Sequence, residues 1–423
     1  REDSMIPTRR HLTLGVLLGA LLAAGSAQAQ TVTRGPYLQI PTPNSIIVRW
    51  RTDVPTDSRV VIGAAPGSLS TVEHEVKVTG LAADTRYYYS VGSTTAALSG
   101  DDASTYFRTS PTPGTVRPVR AWVIGDAGFP GADLNAVRDA YTAFNAGSDT
   151  DLFLLLGDNA YTFATDAEYQ AAVFDAHGPL LRKVAPWPTF GNHEAFNSNS
   201  LTETGPYFQM FTLPKAAEAG GVPSGTESYY SFDFANIHFI VLDGNSSSTA
   251  PGGPMMTWLE ADLQATSADW LVAFWHQPPY SKGVLHDSDT EAREIEMREK
   301  VLPMLEDYGV DLVLCGHSHS YERSYLLDGH YGLSTTFDPF TMALDLGDGD
   351  PAGDGVYRKP SVGQAAHEGA VYVVAGSSSQ VRGSNLNHAA MKVGLLQLGS
   401  LVLDVDGKVI PGALRVWAAG IKA

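Results

Sequence analysis

Cysteine is nearly absent from this sequence: Cys315 is the only one in 423 residues, so no disulfide can form within the chain. A small secreted domain usually needs disulfides to offset a small core, whereas a chain of this length can bury a sizeable core without them. The length also favours two domains over one.

Basic residues are scarce as well. The chain has 28 Lys and Arg against 46 Asp and Glu, which gives a formal net charge of -18. A dedicated nucleic-acid-binding protein needs a basic surface, so we expect no nucleic-acid partner. The same charge repels anionic substrates, and an enzyme acting on them would need a strong local positive charge.

Long apolar runs are missing except near the N-terminus. Arg9 and Arg10 precede an apolar run from Leu12 to Ala24, and Ala27 and Ala29 fit a small-x-small cleavage site. The run is too short for a stable membrane span. We therefore predict a signal peptide over residues 1–29 and export to the periplasm or beyond. The arginine pair fits either an ordinary or a twin-arginine signal.

Residues 30–110 have the pattern of an all-β domain. Short β-rich runs, such as Ile46 to Trp50 and Arg86 to Val91, are separated by turn residues. The segment from Gly80 to Tyr87 resembles the tyrosine corner of fibronectin type III domains, and Trp50 would then be a core tryptophan. A β-sandwich of another topology is the alternative.

After a Pro-rich linker at Ser110 to Gly114, the pattern over residues 117–423 changes to alternating strands and helices, which indicates a layered α/β domain. The predicted strands are Ala121–Ile124, Leu152–Leu156, Phe239–Leu242, Trp270–Trp275 and Val310–Leu314. The predicted helices are Ala132–Phe144, Ala167–Ala176 and Thr290–Tyr308.

Metal-ligating residue types follow the predicted strands. They are Asp126, Asp158, Asn192, His276, His317 and His319. Ligands of open α/β sheets bind beyond the carboxyl ends of the strands, so these side chains are expected to converge. Carboxylate, amide and imidazole groups suit iron, zinc or manganese. Each motif alone also fits a turn or a helix cap, but a purely structural origin for all of them is improbable.

The order Gly-Asp-x-Gly, Gly-Asp-x-x-Tyr, Gly-Asn-His-Glu, His and Gly-His-x-His resembles the metallophosphoesterase superfamily. Tyr161, three residues after Asp158, makes the chain similar to the purple acid phosphatases, which also carry an N-terminal fibronectin-like domain. One departure is Ala273, where the family usually has Val. The resemblance implies two domains, a β-sandwich and an α/β/β/α layered catalytic domain.

The resemblance also implies a dinuclear site. An Fe(III) ion would be held by Asp126, Asp158, Tyr161 and His319. A divalent zinc, manganese or iron ion would be held by Asp158, Asn192, His276 and His317, so that Asp158 bridges the two ions. His193 and His286 would contact the phosphate as catalytic residues. Such a core carries about one net positive charge, which can attract phosphate against the global field.

The predicted function is that of a secreted acid phosphatase acting on small phosphate monoesters. Two metals can hold the attacking and leaving oxygens, and a metal-bound hydroxide would attack phosphorus. A phosphodiesterase or nucleotide phosphohydrolase on the same centre is one alternative, and a non-catalytic surface adhesion protein is another. A Cys- or Ser-nucleophile hydrolase is disfavoured because no nucleophile elbow is present.

Three further hypotheses concern the surroundings of the site. Tyr161 taken alone also fits a core tyrosine. Glu194 and Glu322 are candidate partners of the ligand histidines. The segment Gly376 to Ser379 would either line the rim of the site or form an ordinary loop.

Overall fold

Two antiparallel sheets form the N-terminal part of the computed structural model, which describes residues 30–54, 56–63, 70–73, 76–283, 285–350, 352–383, 385–405 and 415–420. The predicted signal peptide lies outside these residues. The strands are β1 (Val32–Gln39), β2 (Ser45–Thr52), β3 (Arg59–Gly63), β4 (Ser70–Glu73), β5 (Val76–Thr79), β6 (Arg86–Gly92), β7 (Ala97–Gly100) and β8 (Tyr106–Arg108). One sheet has the order β1-β2-β5, and the other has the order β4-β3-β6-β7 with β8 paired to β6.

Alternating residues of these strands face each other across a shared core, as the period of two predicts. Ile46 and Val48 of β2 pack in the same cluster as Val60 of β3 and Tyr89 of β6. The predicted β-sandwich is therefore confirmed.

Two details of the sandwich bear on the fibronectin-like interpretation. Tyr87 Oη accepts a hydrogen bond of 2.9 Å from the Ala82 N–H, which is the contact expected of a tyrosine corner. Trp50, however, is only partly buried and packs against the margin of the core. Strand β5 pairs with β2 no further than Val48 in the described residues, so the sheet narrows before it reaches Trp50.

The sandwich contacts the second part of the chain through polar side chains. Tyr37 Oη donates to the Met210 carbonyl at 3.0 Å, and the buried Arg34 guanidinium lies 3.1 Å from the Asp166 carboxylate. Tyr37 and Ile40 also belong to the apolar core of the second part. The two parts are thus joined by burial as well as by ion pairs.

The second part alternates strands and helices, as predicted. Its strands are β9 (Val119–Ile124), β10 (Leu152–Leu155), β11 (Pro186–Pro188), β12 (Tyr230–Phe234), β13 (Ile237–Val241), β14 (Trp270–Phe274), β15 (Leu312–Cys315), β16 (Tyr321–Ser324), β17 (Leu326–Leu327), β18 (Ala343–Asp345), β19 (Val371–Ala375), β20 (Met391–Leu395), β21 (Gly399–Val405) and β22 (Arg415–Gly420). Its α-helices are α1 (Ala132–Phe144), α2 (Asp166–Tyr169), α3 (Ala176–Leu181), α4 (Pro206–Met210), α5 (Pro254–Ala265), α6 (Ala292–Glu296), α7 (Leu302–Asp307) and α8 (Pro339–Met342).

The helical segments follow the sequence closely. Helix α1 has the predicted bounds. The predicted helix over residues 167–176 belongs to a longer one in which a π-helical turn, Gln170–Asp175, joins α2 to α3. A second π-helical turn, Met297–Val301, joins α6 to α7 within the helix predicted over residues 290–308. In the described part of the chain, no helix combines the length and the apolar character needed to span a membrane.

Two sheets lie at the centre of this part. The first has the order β11-β10-β9-β21-β22, and the second has the order β12-β13-β14-β15-β19-β16-β20. Along β14, Val272 and Phe274 pack in the core that includes the first sheet, whereas Leu271 and Ala273 pack in the core that includes α5 and α7. Trp122 of β9 stacks on Tyr141 of α1 at 4.3 Å on the outside of the first sheet. This is the predicted α/β/β/α layering.

Candidate metal centre

The predicted ligands lie just beyond the carboxyl ends of neighbouring parallel strands. Asp126 follows β9, Asp158 follows β10, His276 follows β14 and His317 follows β15. Strands β9 and β10 are parallel neighbours in the first sheet, and β14 and β15 are parallel neighbours in the second. The centre therefore draws its side chains from both sheets, which the sequence alone did not show.

Three of these residues have a backbone that L-amino acids rarely adopt. The φ angles are 54° at Asp126, 50° at Asp158 and 66° at His317. Left-handed non-glycine residues are uncommon and are retained where the surrounding structure requires them. The sharp turns place each side chain over the strand ends.

The glycines beside the ligands are needed for space as much as for their backbone angles. A Cβ atom on Gly191 would lie 2.3 Å from Asp158 Oδ1, and one on Gly157 would lie 2.6 Å from His276 Nδ1. Gly157 also has a φ of +88°. Only glycine allows the ligands to approach the backbone this closely.

One half of the centre is built around the Tyr161 phenol. Its Oη donates to Asp126 Oδ1 at 2.8 Å and lies 3.0 Å from Asp158 Oδ2. His319 Nε2 is 3.2 Å from the same oxygen. The structure thus brings together the four residues expected to hold Fe(III).

The other half is built around the His276 imidazole. Its Nε2 lies 3.0 Å from Asn192 Oδ1, 3.3 Å from Asp158 Oδ1 and 3.2 Å from His317 Nδ1. Its Nδ1 donates to the Leu156 carbonyl at 2.8 Å, which fixes the ring and leaves Nε2 facing the centre. The four residues expected at the divalent site therefore also meet.

Asp158 joins the two halves. Its Oδ2 faces Tyr161 and its Oδ1 faces His276, so the two oxygens of one carboxylate point to different ligand sets. Oδ1 also accepts a hydrogen bond of 2.9 Å from the backbone N–H of His193. A carboxylate placed in this way is suited to bridge two cations.

The electrostatics of the centre fit a cation. Asp126 and Asp158 are almost fully buried, with exposed fractions of 0% and 2%. Burial acts to lower the pKa of His276, but these two carboxylates overcome it and raise the pKa to about 10. Burial and the same carboxylates hold the pKa of Tyr161 well above its usual value. Buried carboxylates of this kind require positive charge, and a metal ion would supply it and displace the phenol proton.

His193 and His286 contact different residues of the ligand cluster. His193 Nδ1 donates to the Thr162 carbonyl at 2.7 Å, and its Nε2 is 3.8 Å from Asp158 Oδ2. The His286 ring centroid is 3.6 Å from that of His317 and 6.0 Å from that of His319. Both imidazoles are partly exposed, so a substrate can reach them.

Glu291 was missed by the sequence analysis. Its Oε1 accepts from His286 Nδ1 at 2.8 Å, and its Oε2 lies 3.0 Å from His317 Nε2. Burial acts to raise its pKa, but the hydrogen bonds from His286 and His317 lower it to about 2. Glu291 has no motif around it, so no local signal pointed to this role.

The hypotheses about Glu194 and Glu322 were wrong about their partners. The Glu194 carboxylate accepts the backbone N–H groups of Asp158 at 2.9 Å, Asn159 at 2.8 Å and Gly191 at 2.8 Å. Glu322 Oε1 accepts from two serine hydroxyls, those of Ser281 and Ser320. Glu194 thus holds the second and third motif loops together instead of orienting a ligand histidine.

The serine segment after β19 holds the Asp126 loop through hydrogen bonds. Ser379 Oγ donates to the Asp126 carbonyl at 2.5 Å, and Ser378 Oγ accepts the Gly125 N–H at 3.3 Å. All three serines are buried, so they do not line the rim. The neighbouring Gln380 instead places its Nε2 3.2 Å from His319 Nε2.

Comparison with known proteins agrees with this geometry. Residues 119–321 match the model of the family described as calcineurin-like phosphoesterase. The chain is 29% identical to purple acid phosphatase 23 of Arabidopsis thaliana over 312 residues, which are 66% of this chain and 63% of the relative. It is 31% identical to purple acid phosphatase 21 of the same plant over 259 residues, or 59% of this chain and 53% of the relative.

Solved structures share the fold. The purple acid phosphatase PPD1 from yellow lupin (Lupinus luteus) superimposes with a TM-score of 0.64 at 17% identity, covering 88% of this chain and 71% of that one. A structure of PhoD gives a TM-score of 0.56 at 14% identity, covering 88% of this chain and 84% of that one. The matched segments span only 53 to 63% of the two plant relatives named above. The resemblance predicted from the motifs is confirmed at the level of family and fold.

Proposed function

We propose that this chain, which carries a calcineurin-like phosphoesterase domain over residues 119–321, is an exported dinuclear-metal acid phosphatase that hydrolyses phosphate monoesters. The observation that carries the proposal is the division of the ligand cluster by Asp158. Its two oxygens face separate sets, one with a phenol and one with an amide and two imidazoles. The purple acid phosphatase relatives support the same reaction class.

The two ligand sets differ in the metal they prefer. A phenolate with two carboxylates and an imidazole is a hard, anionic set and suits Fe(III), whereas the set with Asn192, His276 and His317 suits a divalent zinc, manganese or iron ion. The metals would supply positive charge for the phosphate oxygens and would activate the attacking water. Their identities are part of the proposal.

The protein groups around the metals have separate tasks in this proposal. His193 is fixed by the Thr162 carbonyl through Nδ1, which leaves Nε2 to donate to a phosphate oxygen. His286 is held by Glu291 and is assigned the task of giving a proton to the leaving oxygen. The catalytic residues are thus two imidazoles, each oriented through its Nδ1.

Metal analysis with activity assays tests the proposal. We expect one to two iron atoms per chain, a visible absorption band, and faster turnover of p-nitrophenyl phosphate than of bis(p-nitrophenyl) phosphate at acidic pH. A colourless protein containing zinc alone that prefers the diester would favour a phosphodiesterase. Absence of both metal and hydrolysis would favour a non-catalytic surface protein.

Export is the remaining element of the proposal, and it rests on the predicted signal peptide. N-terminal sequencing of the protein recovered from outside the cytoplasm would test it, with Gln30 as the expected first residue. Substituting Arg9 and Arg10 by Lys should block export if the twin-arginine route is used and leave it intact if the ordinary route is used.

A further inference from the structure

A row of aromatic rings leads from the ligand cluster to the protein surface. The Tyr161 ring lies 4.4 Å from the His193 ring, edge to face. The next separations are 5.5 Å from His193 to Phe196 and 5.5 Å from Phe196 to Phe163. The row therefore joins a proposed metal ligand and a proposed phosphate ligand to two outer phenylalanines.

Both phenylalanines are more than half exposed. The exposed fractions are 53% for Phe163 and 59% for Phe196. Each isolated apolar residue on a surface needs no explanation, but a pair in contact at the mouth of a reactive cluster indicates a binding surface.

The backbone that carries the pair is held by several hydrogen bonds. The Glu168 carboxylate accepts the N–H groups of Thr162 at 2.5 Å and Phe163 at 3.2 Å. Asn197 Nδ2 donates to the Phe163 carbonyl at 2.6 Å and so ties this loop to the turn that contains Phe196. The backbone positions of the two rings are thus held relative to each other, which lowers the entropy cost of binding a flat group against them.

We propose that Phe163 and Phe196 form a subsite for a planar aromatic group in the substrate, so that the enzyme favours phosphate monoesters of aromatic alcohols. The inference rests on the proposed function, because it places the phosphate at the ligand cluster beside His193. Aromatic rings stack on Phe edge to face or offset, and such contacts add to the affinity gained from area burial.

The test compares esters of similar intrinsic reactivity. Benzyl phosphate, cyclohexylmethyl phosphate and propyl phosphate all have alkyl-type leaving groups, but only the first carries an aromatic ring. In the Phe163→Ala/Phe196→Ala double variant, the ratio of kcat/KM for benzyl phosphate to that for propyl phosphate should fall about tenfold. The ratio of benzyl to cyclohexylmethyl phosphate should also fall, because the cyclohexyl ring cannot stack.

Phe340→Ala is the matched control, since Phe340 is an 87% exposed phenylalanine on helix α8. Both ratios should keep their wild-type values in this variant. If the double variant leaves the ratios unchanged, or if Phe340→Ala lowers them equally, the subsite is excluded. Wild-type protein that hydrolyses none of the three esters would instead count against the proposed function.

A conservative variant separates ring stacking from loss of folding. Phe163→Leu/Phe196→Leu keeps apolar side chains, so it should fold and still lose preference for benzyl over cyclohexylmethyl phosphate. Retention of the wild-type preference would overturn the aromatic subsite. Adenosine 5′-monophosphate tests a second kind of aromatic group, the nucleobase. If its KM depends on the two phenylalanines, the subsite also accepts a nucleobase. If only benzyl phosphate depends on them, the subsite accepts rings near the ester oxygen.

Discussion

Glu291 Oε2 lies 3.0 Å from His317 Nε2, on the side of the ring away from the ligand cluster. His317 Nδ1 faces His276 on the other side. A carboxylate that holds the outer nitrogen of a ligand histidine orients the ring and raises its basicity. Because the same carboxylate binds His286, one side chain positions both a proposed metal ligand and a proposed proton donor.

We predict that Glu291→Gln weakens metal binding about 10- to 100-fold. The amide cannot accept from both imidazoles with the strength of a carboxylate, so the orientation of His317 becomes less defined. Titration of the apoprotein with the divalent ion would measure this effect directly. Glu299→Gln, at an exposed position of the nearby π-helical turn, is the control and should bind metal as the wild type does. Equal affinities of all three proteins would contradict the assignment.

We predict that Tyr161→Phe removes the visible absorption band. The phenolate is the group expected to give a ferric centre its colour, and the substitution removes only the oxygen that lies between Asp126 and Asp158. The spectrum and the iron content should be measured on the same sample. Tyr169→Phe is a suitable control, because Tyr169 is buried and bonds Glu194 instead of the ligand carboxylates. An unchanged band in Tyr161→Phe would contradict the proposal that Tyr161 is a ligand of Fe(III).

We predict that Gly191→Ala damages the centre. The added Cβ would lie 2.3 Å from Asp158 Oδ1 and 2.6 Å from Glu194 Oε2, so the bridging carboxylate must shift. Overpacking of this kind costs about 1–3 kcal/mol of stability. Metal content, activity and thermal unfolding should all fall.

Gly178→Ala is the matched control for this prediction. Gly178 lies in helix α3, and a Cβ there would meet no atom within 4 Å. Pro179 follows Gly178 and disfavours a Cβ on a helical residue before it, so this variant should lose some stability but keep the metal content of the wild type. A normal metal content in Gly191→Ala would show that the close approach to Asp158 is not required.

We predict that His238 makes the stability of the fold depend on pH above neutrality. The buried ring lies between two carboxylates, 2.7 Å from Asp233 Oδ1 and 2.8 Å from Asp262 Oδ2. Burial acts to lower the pKa of His238, but the two carboxylates raise it to about 9. Because the pKa of His238 is higher in the folded state than its unfolded value of about 6.5, the protonated ring stabilises the fold. This contribution is fully present below about pH 6.5 and is lost as the pH rises through about 9.

Thermal unfolding of metal-loaded protein between pH 6 and pH 10 would measure this contribution, which is at most about 3 kcal/mol. His238→Gln should be less stable than the wild type at pH 6, and the difference should narrow towards pH 10. A difference that stays constant over this range would show that protonation of His238 is not involved.

The sequence by itself determined the local elements and indicated the candidate ligands of the site. Helix α1 begins and ends as predicted, because its apolar period and the glycine before it are local signals. Asp126, Asp158 and His317 were recognisable because glycines and buried strands flank them in the chain. Tyr161 was recognisable because it lies three residues after Asp158 in the same loop.

Only the tertiary structure decided how these residues come together in one site. Each ligand set takes side chains from both central sheets, so the division of Asp158 between the sets depends on how those sheets pack. Glu291, Gln380 and the Phe163–Phe196 pair carry no sequence motif, since their role depends on which distant side chain they touch. Glu194 was misjudged for the same reason: backbone N–H groups of two separate loops, not a neighbouring histidine, satisfy its buried carboxylate.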